Sequence, residues 1–207
     1  MRRPEFIARQ AAHPRGLLGR LIARIMAIET ETPNRRALQM LELEEASRVL
    51  EIGFGHGRTL ARAAELSPGG FVAGIDTSTA MVEMAQRYNH ASIAKGVVEV
   101  RQASSDRIPY PDKTFDRAYA VHTIYFWNDP LAHLLEVHRV CRLGSRFVLV
   151  FGPKEDPYAV ASFPKSVYRV YSIEEIADLL SRAGFRDVNI SHERIASRDI
   201  AFALGNR

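Results

Sequence analysis

The fold of this chain follows from one nine-residue stretch, Val49-Leu50-Glu51-Ile52-Gly53-Phe54-Gly55-His56-Gly57. An apolar run that contains one acidic residue leads into three glycines at alternate positions, and residues 58–66 have the pattern of a helix. Glycine lets a ligand approach the backbone closely, and the amides at a helix N-terminus face a bound carboxylate or phosphate. The stretch therefore predicts a strand, a turn and a helix that together form a nucleotide-type binding site.

Strands and helices alternate from this stretch onward. We predict strands at residues 48–52, 71–75, 97–102, 117–121 and 147–151, with helices at 58–66, 78–89 and 130–141. A capping box at Ser172 begins a helix that ends near residue 183, and late strands follow near 188–192 and 199–204. The alternation predicts an α/β fold with a mostly parallel, doubly wound sheet.

Ligands of such a sheet bind beyond the carboxyl ends of its strands. The loops that begin at Gly53, Asp76, Ala103 and His122 should therefore carry the site. Residues 152–171 form a long connection, which is more typical of a substrate cover than of a plain link.

Residues 1–46 precede the first strand and are predicted as an N-terminal helical cover on a binding domain of residues 47–207, the two forming one structural domain. Apolar residues recur at helix spacing in the first part, at Leu17, Leu18, Leu21, Ile22, Ile25 and Met26. A second helix is expected at 34–43, started by Pro33 and Asn34. The first helix either lies over a substrate or on a membrane surface, or packs its apolar face on the domain.

The composition is that of an ordinary globular protein of one domain, with 207 residues and a formal net charge of +4. A single cysteine, Cys141, excludes an internal disulfide and indicates a reducing, cytoplasmic location. No apolar run is long enough to span a bilayer, so membrane contact, if any, is peripheral. The seven histidines are scattered and predict no metal site.

Two acidic residues strengthen the prediction of a nucleotide-type site. Asp76 ends the second strand, where a carboxylate can accept hydrogen bonds from both hydroxyls of a ribose, although it can also begin a turn that caps the next helix. Glu51 lies at the end of an apolar strand, and a carboxylate buried there needs a partner.

These features resemble the class I S-adenosylmethionine-dependent methyltransferases, in particular the group that includes the ubiquinone and menaquinone biosynthesis methyltransferases. Residues 49–57 resemble the first motif of the family, and residues 74–78, followed by Met81, resemble the second. Residues 108–116 and 136–144 resemble the segments that precede the fourth and fifth strands. The resemblance implies a Rossmann-like three-layer sandwich whose seven-stranded sheet has the order 3-2-1-4-5-7-6, with the last strand antiparallel.

The resemblance also implies S-adenosylmethionine as the cofactor and a small molecule as the methyl acceptor, with amphipathic molecules among the candidates. The backbone at Gly53, Gly55 and Gly57 would hold the methionine end. Asp76 would hold the ribose, and Thr77 and Met81 would flank the adenine. The family usually has an acidic residue after the third strand, but Ser104 stands there, followed by Ser105 and Asp106.

The segment after the fourth strand supplies the candidates for acceptor contacts. His122 is a candidate base or substrate contact, and its alternative is a histidine bonded to backbone at the strand end. Tyr125 and Trp127 either wall a pocket for an aromatic or cationic acceptor or are ordinary core aromatics.

Three other functions are alternatives to methyl transfer to a small molecule. A nicotinamide-dependent oxidoreductase would need a glycine at position 58, where this chain has Arg58. A nucleic-acid methyltransferase that acts on amino groups would carry Asp/Asn-Pro-Pro-aromatic, whereas residues 128–131 read Asn-Asp-Pro-Leu, so no nucleic-acid partner is expected. A cofactor-binding protein without catalysis would have the same motifs and stays an alternative.

Overall fold

The computed structural model describes residues 4–14 and 16–207. Its centre is one seven-stranded sheet of order β3-β2-β1-β4-β5-β7-β6, as the resemblance implied. The strands are β1 (Arg48–Ile52), β2 (Phe71–Asp76), β3 (Val98–Gln102), β4 (Phe115–Val121), β5 (Cys141–Phe151), β6 (Arg186–Ile195) and β7 (Arg198–Asn206). β7 runs antiparallel to β5 and β6, and the other pairs of neighbouring strands are parallel.

Nine α-helices and a short 3-10 helix at Ile124–Phe126 surround the sheet in the described part of the chain. The helices are α1 (Glu5–Ala12), α2 (Gly16–Glu29), α3 (Glu31–Leu41), α4 (Arg58–Leu66), α5 (Thr79–Tyr88), α6 (His90–Ala94), α7 (Pro130–Val140), α8 (Pro157–Ser162) and α9 (Ile173–Arg182). Local sequence sets several of their ends. Asp129 accepts hydrogen bonds from two amides at the start of α7, and Ser172 and Glu175 form the predicted capping box of α9.

The core lies on both faces of the sheet because successive apolar residues of the central strands point to opposite faces. In β1, Leu50 and Ile52 pack into one cluster of buried residues, while Val49 packs into the other. The two clusters cover the sheet on opposite sides, which is what a doubly wound parallel sheet requires. The carboxyl ends of β1, β2, β3 and β4 are thereby brought to one edge.

Several element ends differ from the sequence prediction. The helix expected at 34–43 is α3, which begins at Glu31 and ends at Leu41, with Pro33 in its first turn, where its missing N–H costs no helical hydrogen bond. The helix expected to reach Cys141 ends at Val140, and β5 begins at once, before the predicted start at 147. Helices α1, α6 and α8 were not predicted.

The N-terminal segment packs only part of its apolar surface. Ile22 and Ala27 are buried, but Leu18, Leu21 and Ile25 are about half exposed at 48%, 55% and 51%. Packing on the domain therefore does not account for the whole apolar face that the sequence predicted. The side chain of Leu17 and the whole of Arg15 lie outside the described residues. Within the described part of the chain, no helix has the length and apolarity needed to cross a bilayer.

Candidate active site

The glycine turn after β1 brings bare backbone to the sheet edge. Gly53, Gly55 and Gly57 all have positive φ, at 72°, 55° and 81°. The Gly53 amide donates to the Ile75 carbonyl at 2.8 Å, which ties the turn to β2. A Cβ on Gly55 would meet nothing within 4 Å, whereas one on Gly57 would lie 2.6 Å from the Ala85 Cβ. The middle glycine thus faces open space and the last one faces α5.

A cavity of about 450 Å³ lies in front of this turn. Its walls include ten of the twelve residues that the sequence proposed for cofactor, catalysis or acceptor: Glu51, Gly53, Gly55, Asp76, Thr77, Met81, Ser104, Ser105, His122 and Trp127. Gly57 is not in its wall and instead occupies the N-cap position of α4. Tyr125 lines a neighbouring cavity.

Glu51 provides the strongest electrostatic feature of the large cavity. Its side chain is buried, and its Oε2 atom has no hydrogen-bond partner. Burial raises the pKa of Glu51 to about 8, the nearby Tyr119 hydroxyl opposes that rise, and the Asp76 carboxylate adds to it. A buried carboxyl with an unused oxygen fits a ligand that brings a positively charged group, such as the amino group of an amino acid.

Asp76 joins the two loops that frame the cavity. Its Oδ2 accepts a hydrogen bond from the Gly55 amide at 3.0 Å, and its Oδ1 accepts one from the Ser78 amide at 2.9 Å. Burial raises the pKa of Asp76 to about 6 although these amides lower it. The turn contact that the sequence allowed is therefore present, and each oxygen keeps a lone pair for a further donor.

The loop after β3 contacts α7 through a polar pair that sequence reasoning missed. The Ser105 hydroxyl and His133 Nδ1 are 2.7 Å apart, and the His133 ring stacks on Trp127 with centroids 4.8 Å apart. All three residues are buried and all line the large cavity. The hydroxyl of Ser105 is thus already engaged, while Ser104 and Asp106 also line the cavity. No sequence signal marks His133, because its role depends on packing between a loop and a helix.

The N-terminal segment closes the other side of the cavity. His13, Pro14, Met26 and Thr30 are part of its wall. The Ser78 hydroxyl donates to the Pro14 carbonyl at 2.8 Å, so the link between α1 and α2 is held against the start of α5. The amphipathic pattern of the segment was the only sequence signal for this placement.

A second cavity of about 120 Å³ adjoins the large one, with Met26, Thr30, His122 and Phe126 shared between the two walls. Its remaining wall is rich in aromatic rings from the 3-10 helix and from the loop after β5, namely Tyr125, Tyr158, Phe163 and Tyr168. The long loop predicted as a substrate cover therefore contributes three of these rings. Two charged residues of this wall form an ion pair, with Arg198 Nη1 lying 3.4 Å from Glu29 Oε2.

His122 stands where the two cavities meet. It follows β4 with a positive φ of 56°, and its amide donates to the Val150 carbonyl at 2.9 Å. Its Nδ1 atom lies 2.9 Å from the Tyr125 hydroxyl, and the two rings stack with an angle of 17° between their planes. The bond to backbone at the strand end that the sequence alternative describes is present at the His122 amide, and the Tyr125 hydroxyl lies beside the ring.

Comparison with known proteins agrees with this geometry. Residues 50–149 match the family described as a methyltransferase domain. The family match, the curated relatives and the solved structures together support a class I S-adenosylmethionine-dependent methyltransferase. Its cofactor is S-adenosylmethionine, and the glycine turn, the unpaired Glu51 oxygen and the cavity in front of them fit that molecule.

Individual relatives of this methyltransferase are similar over most of its length. The uncharacterized methyltransferase YdaC of Bacillus subtilis (strain 168) is 28% identical over 171 residues, which are 83% of this chain and 89% of the relative. An O-methyltransferase of Pyrenophora dematioidea is 28% identical over 77% of this chain, which spans 61% of that relative. The crystal structure of a SAM-dependent methyltransferase from Aquifex aeolicus has a TM-score of 0.69 and 25% identity, covering 84% of this chain and 89% of that one.

The environment of Cys141 shows whether its thiol could act as a nucleophile. The thiol is buried at the start of β5, and burial raises its pKa to about 12. A nucleophilic cysteine needs a low pKa and access to substrate, so Cys141 is not suited to that role.

Proposed function

We propose that this protein transfers the methyl group of S-adenosylmethionine to a small molecule held in the aromatic cavity, an activity of class EC 2.1.1. The observation that carries the proposal is the meeting of the two cavities at His122. One cavity has the cofactor motifs in its wall, and the other has aromatic rings and few charges. A donor and an acceptor bound in the two spaces would lie side by side.

The cofactor would be held by contacts that this chain already presents. Glu51 would pair with the amino group of the methionine end, next to the bare backbone of Gly53 and Gly55. Asp76 would accept hydrogen bonds from the ribose while it keeps the amides of Gly55 and Ser78. Met81 and Thr77 would contact the adenine, with Ser104 at the position where the family resemblance implies an acidic residue.

The protein residues contribute mainly position and exclusion of water. When bound, S-adenosylmethionine supplies an activated methyl group, so the cofactor brings the difficult chemistry. The α2 residues Met26 and Thr30 and the loop at Pro14 would cover the reacting groups from solvent, in keeping with residues 1–46 acting as a cover. Orientation of two reactants and removal of water are enough for large rate accelerations.

The acceptor would be small and ring-shaped. An apolar cavity of about 150 Å³ is known to hold a benzene ring, and the aromatic cavity here is about 120 Å³. Aromatic walls favour a planar ring in stacked or edge contact. The similarity to an O-methyltransferase supports a hydroxyl group as the methylated group of that ring.

The test is a single-turnover reaction with methyl-labelled S-adenosylmethionine and a panel of one-ring phenols, amines and thiols, in which labelled product is separated by mass. We expect label on a one-ring hydroxylated compound. Tight cofactor binding with no transfer to any compound of the panel would favour the alternative of a binding protein without catalysis.

A further inference from the structure

The hydrogen bonds of the Tyr125 hydroxyl decide the state of the histidine beside it. This hydroxyl has two partners, the Gly152 amide and His122 Nδ1. Burial raises the pKa of Tyr125 far above its ordinary value, so the hydroxyl keeps its proton at any working pH. The group therefore always has one hydrogen to donate and two lone pairs to accept with.

The directions of the two bonds follow from counting protons. The Gly152 amide can only donate, so it occupies one lone pair of the tyrosine oxygen. The hydroxyl hydrogen then needs an acceptor, since a buried donor left without one costs about 1–3 kcal/mol. Among the described residues, His122 Nδ1 is the one atom besides Gly152 N within bonding distance of this oxygen.

We propose that Tyr125 is a positioning residue that holds neutral His122 in the tautomer with its proton on Nε2. The backbone supports this role. The hydrogen bond from the His122 amide to the Val150 carbonyl and the positive φ of His122 fix the position of its Cα and Cβ atoms. Stacking of the two rings fixes its plane. The tautomer of His122 does not depend on the proposed function, whereas its consequence for the methyl acceptor rests on that function.

That consequence concerns the kind of acceptor. In this tautomer Nε2 carries a hydrogen and donates, so His122 takes no proton from the acceptor and is not the general base that the sequence suggested. It can instead hold an acceptor atom that already has a lone pair free, such as the oxygen of a phenolate. A hydroxylated ring would lose its proton to solvent before transfer, and acidic phenols would be methylated faster than weakly acidic ones at pH 7.

The tautomer can be measured directly by ¹⁵N NMR on the histidines of the cofactor-free protein, with His122 assigned from the signal missing in His122→Asn. We expect its Nδ1 to be unprotonated and its Nε2 protonated in the neutral state. In Tyr125→Phe, the ratio of the two tautomers should shift toward Nδ1–H by about fivefold, which is about 1 kcal/mol. Tyr158→Phe, from the same cavity wall, is the matched control and should leave the ratio unchanged.

A wild-type His122 that carries its proton on Nδ1 would overturn the proposal, and so would an unchanged ratio in Tyr125→Phe. The wild-type spectrum needs no substitution, so a misfolded variant would not prevent the test. Because the measurement uses protein without cofactor or acceptor, its outcome is separate from that of the methyl-transfer assay.

Discussion

The burial of Glu51 predicts that cofactor binding releases a proton. With a pKa of about 8, this carboxyl is roughly 90% protonated at pH 7 in the free protein. S-adenosylhomocysteine, the demethylated product, carries a protonated amino group, and pairing with it would favour the ionised carboxylate. Binding at pH 7 should therefore release close to one proton, on the order of 0.9. Asp76, with a pKa of about 6, is already largely ionised at this pH and adds about 0.1 at most.

The free-energy cost of ionising Glu51 in the empty site also makes the stability of the free protein depend on pH. The difference between its ordinary pKa of 4.5 and about 8 corresponds to about 5 kcal/mol, an upper estimate for one buried group. The folded protein binds this proton more tightly than the unfolded chain does. The free energy of unfolding of the free protein should therefore fall as pH rises from about 4.5 to about 8, relative to Glu51→Gln, and level off above that.

Calorimetric titration with S-adenosylhomocysteine in two pH 7 buffers of different ionisation enthalpy measures the released proton. We expect the two observed enthalpies to differ by nearly the full difference between the buffers for the wild type. For Glu51→Gln, which keeps the shape but cannot ionise, they should agree and the affinity should fall. Equal enthalpies for the wild type in both buffers would refute the pairing of Glu51 with the ligand.

Four further substitutions test the glycine turn and the loops after β2 and β4. Gly57→Ala should destabilise the free protein by about 3 kcal/mol in chemical denaturation, because its Cβ would lie 2.6 Å from the Ala85 Cβ at a positive φ. Gly55→Ala, at a similar φ but facing open space, should cost about 1 kcal/mol and mainly weaken cofactor binding; equal losses of stability would contradict the contact with α5. Asp76→Ala should weaken S-adenosylhomocysteine binding more than His122→Ala in calorimetry, and equal affinities would refute the ribose assignment.

Local sequence was enough to predict those strands and helices whose ends are set by neighbouring residues in the chain. The bounds of β1 and α4 agree with prediction, because an apolar run, a glycine turn and a helix pattern follow each other without ambiguity. The start of β5 at Cys141 was not predictable. There the chain passes from α7 into a strand without a loop, and the amides of Lys113 and Thr114 hold it through the carbonyls of Arg139 and Val140.

The candidate site shows the same division. Glu51 and Asp76 could be proposed because their positions at strand ends are visible in the sequence. The pairing of Ser105 with His133 and the stacking of His133 on Trp127 could not, since they join a loop to a helix. The bond between His122 and Tyr125 depends on the 3-10 helix at Ile124–Phe126, which no local pattern announced.

The most direct test of the account is hydrogen–deuterium exchange with and without S-adenosylhomocysteine. The ligand would lie against the turn after β1 and the loop after β2, so amides at residues 53–58 and 76–78 should exchange more slowly in the complex. The amides of α9, which is distant in sequence from both loops, should exchange at the same rate with and without the ligand. Binding without protection of residues 53–58, or no binding at all, would contradict the claim that the glycine turn holds the methyl donor.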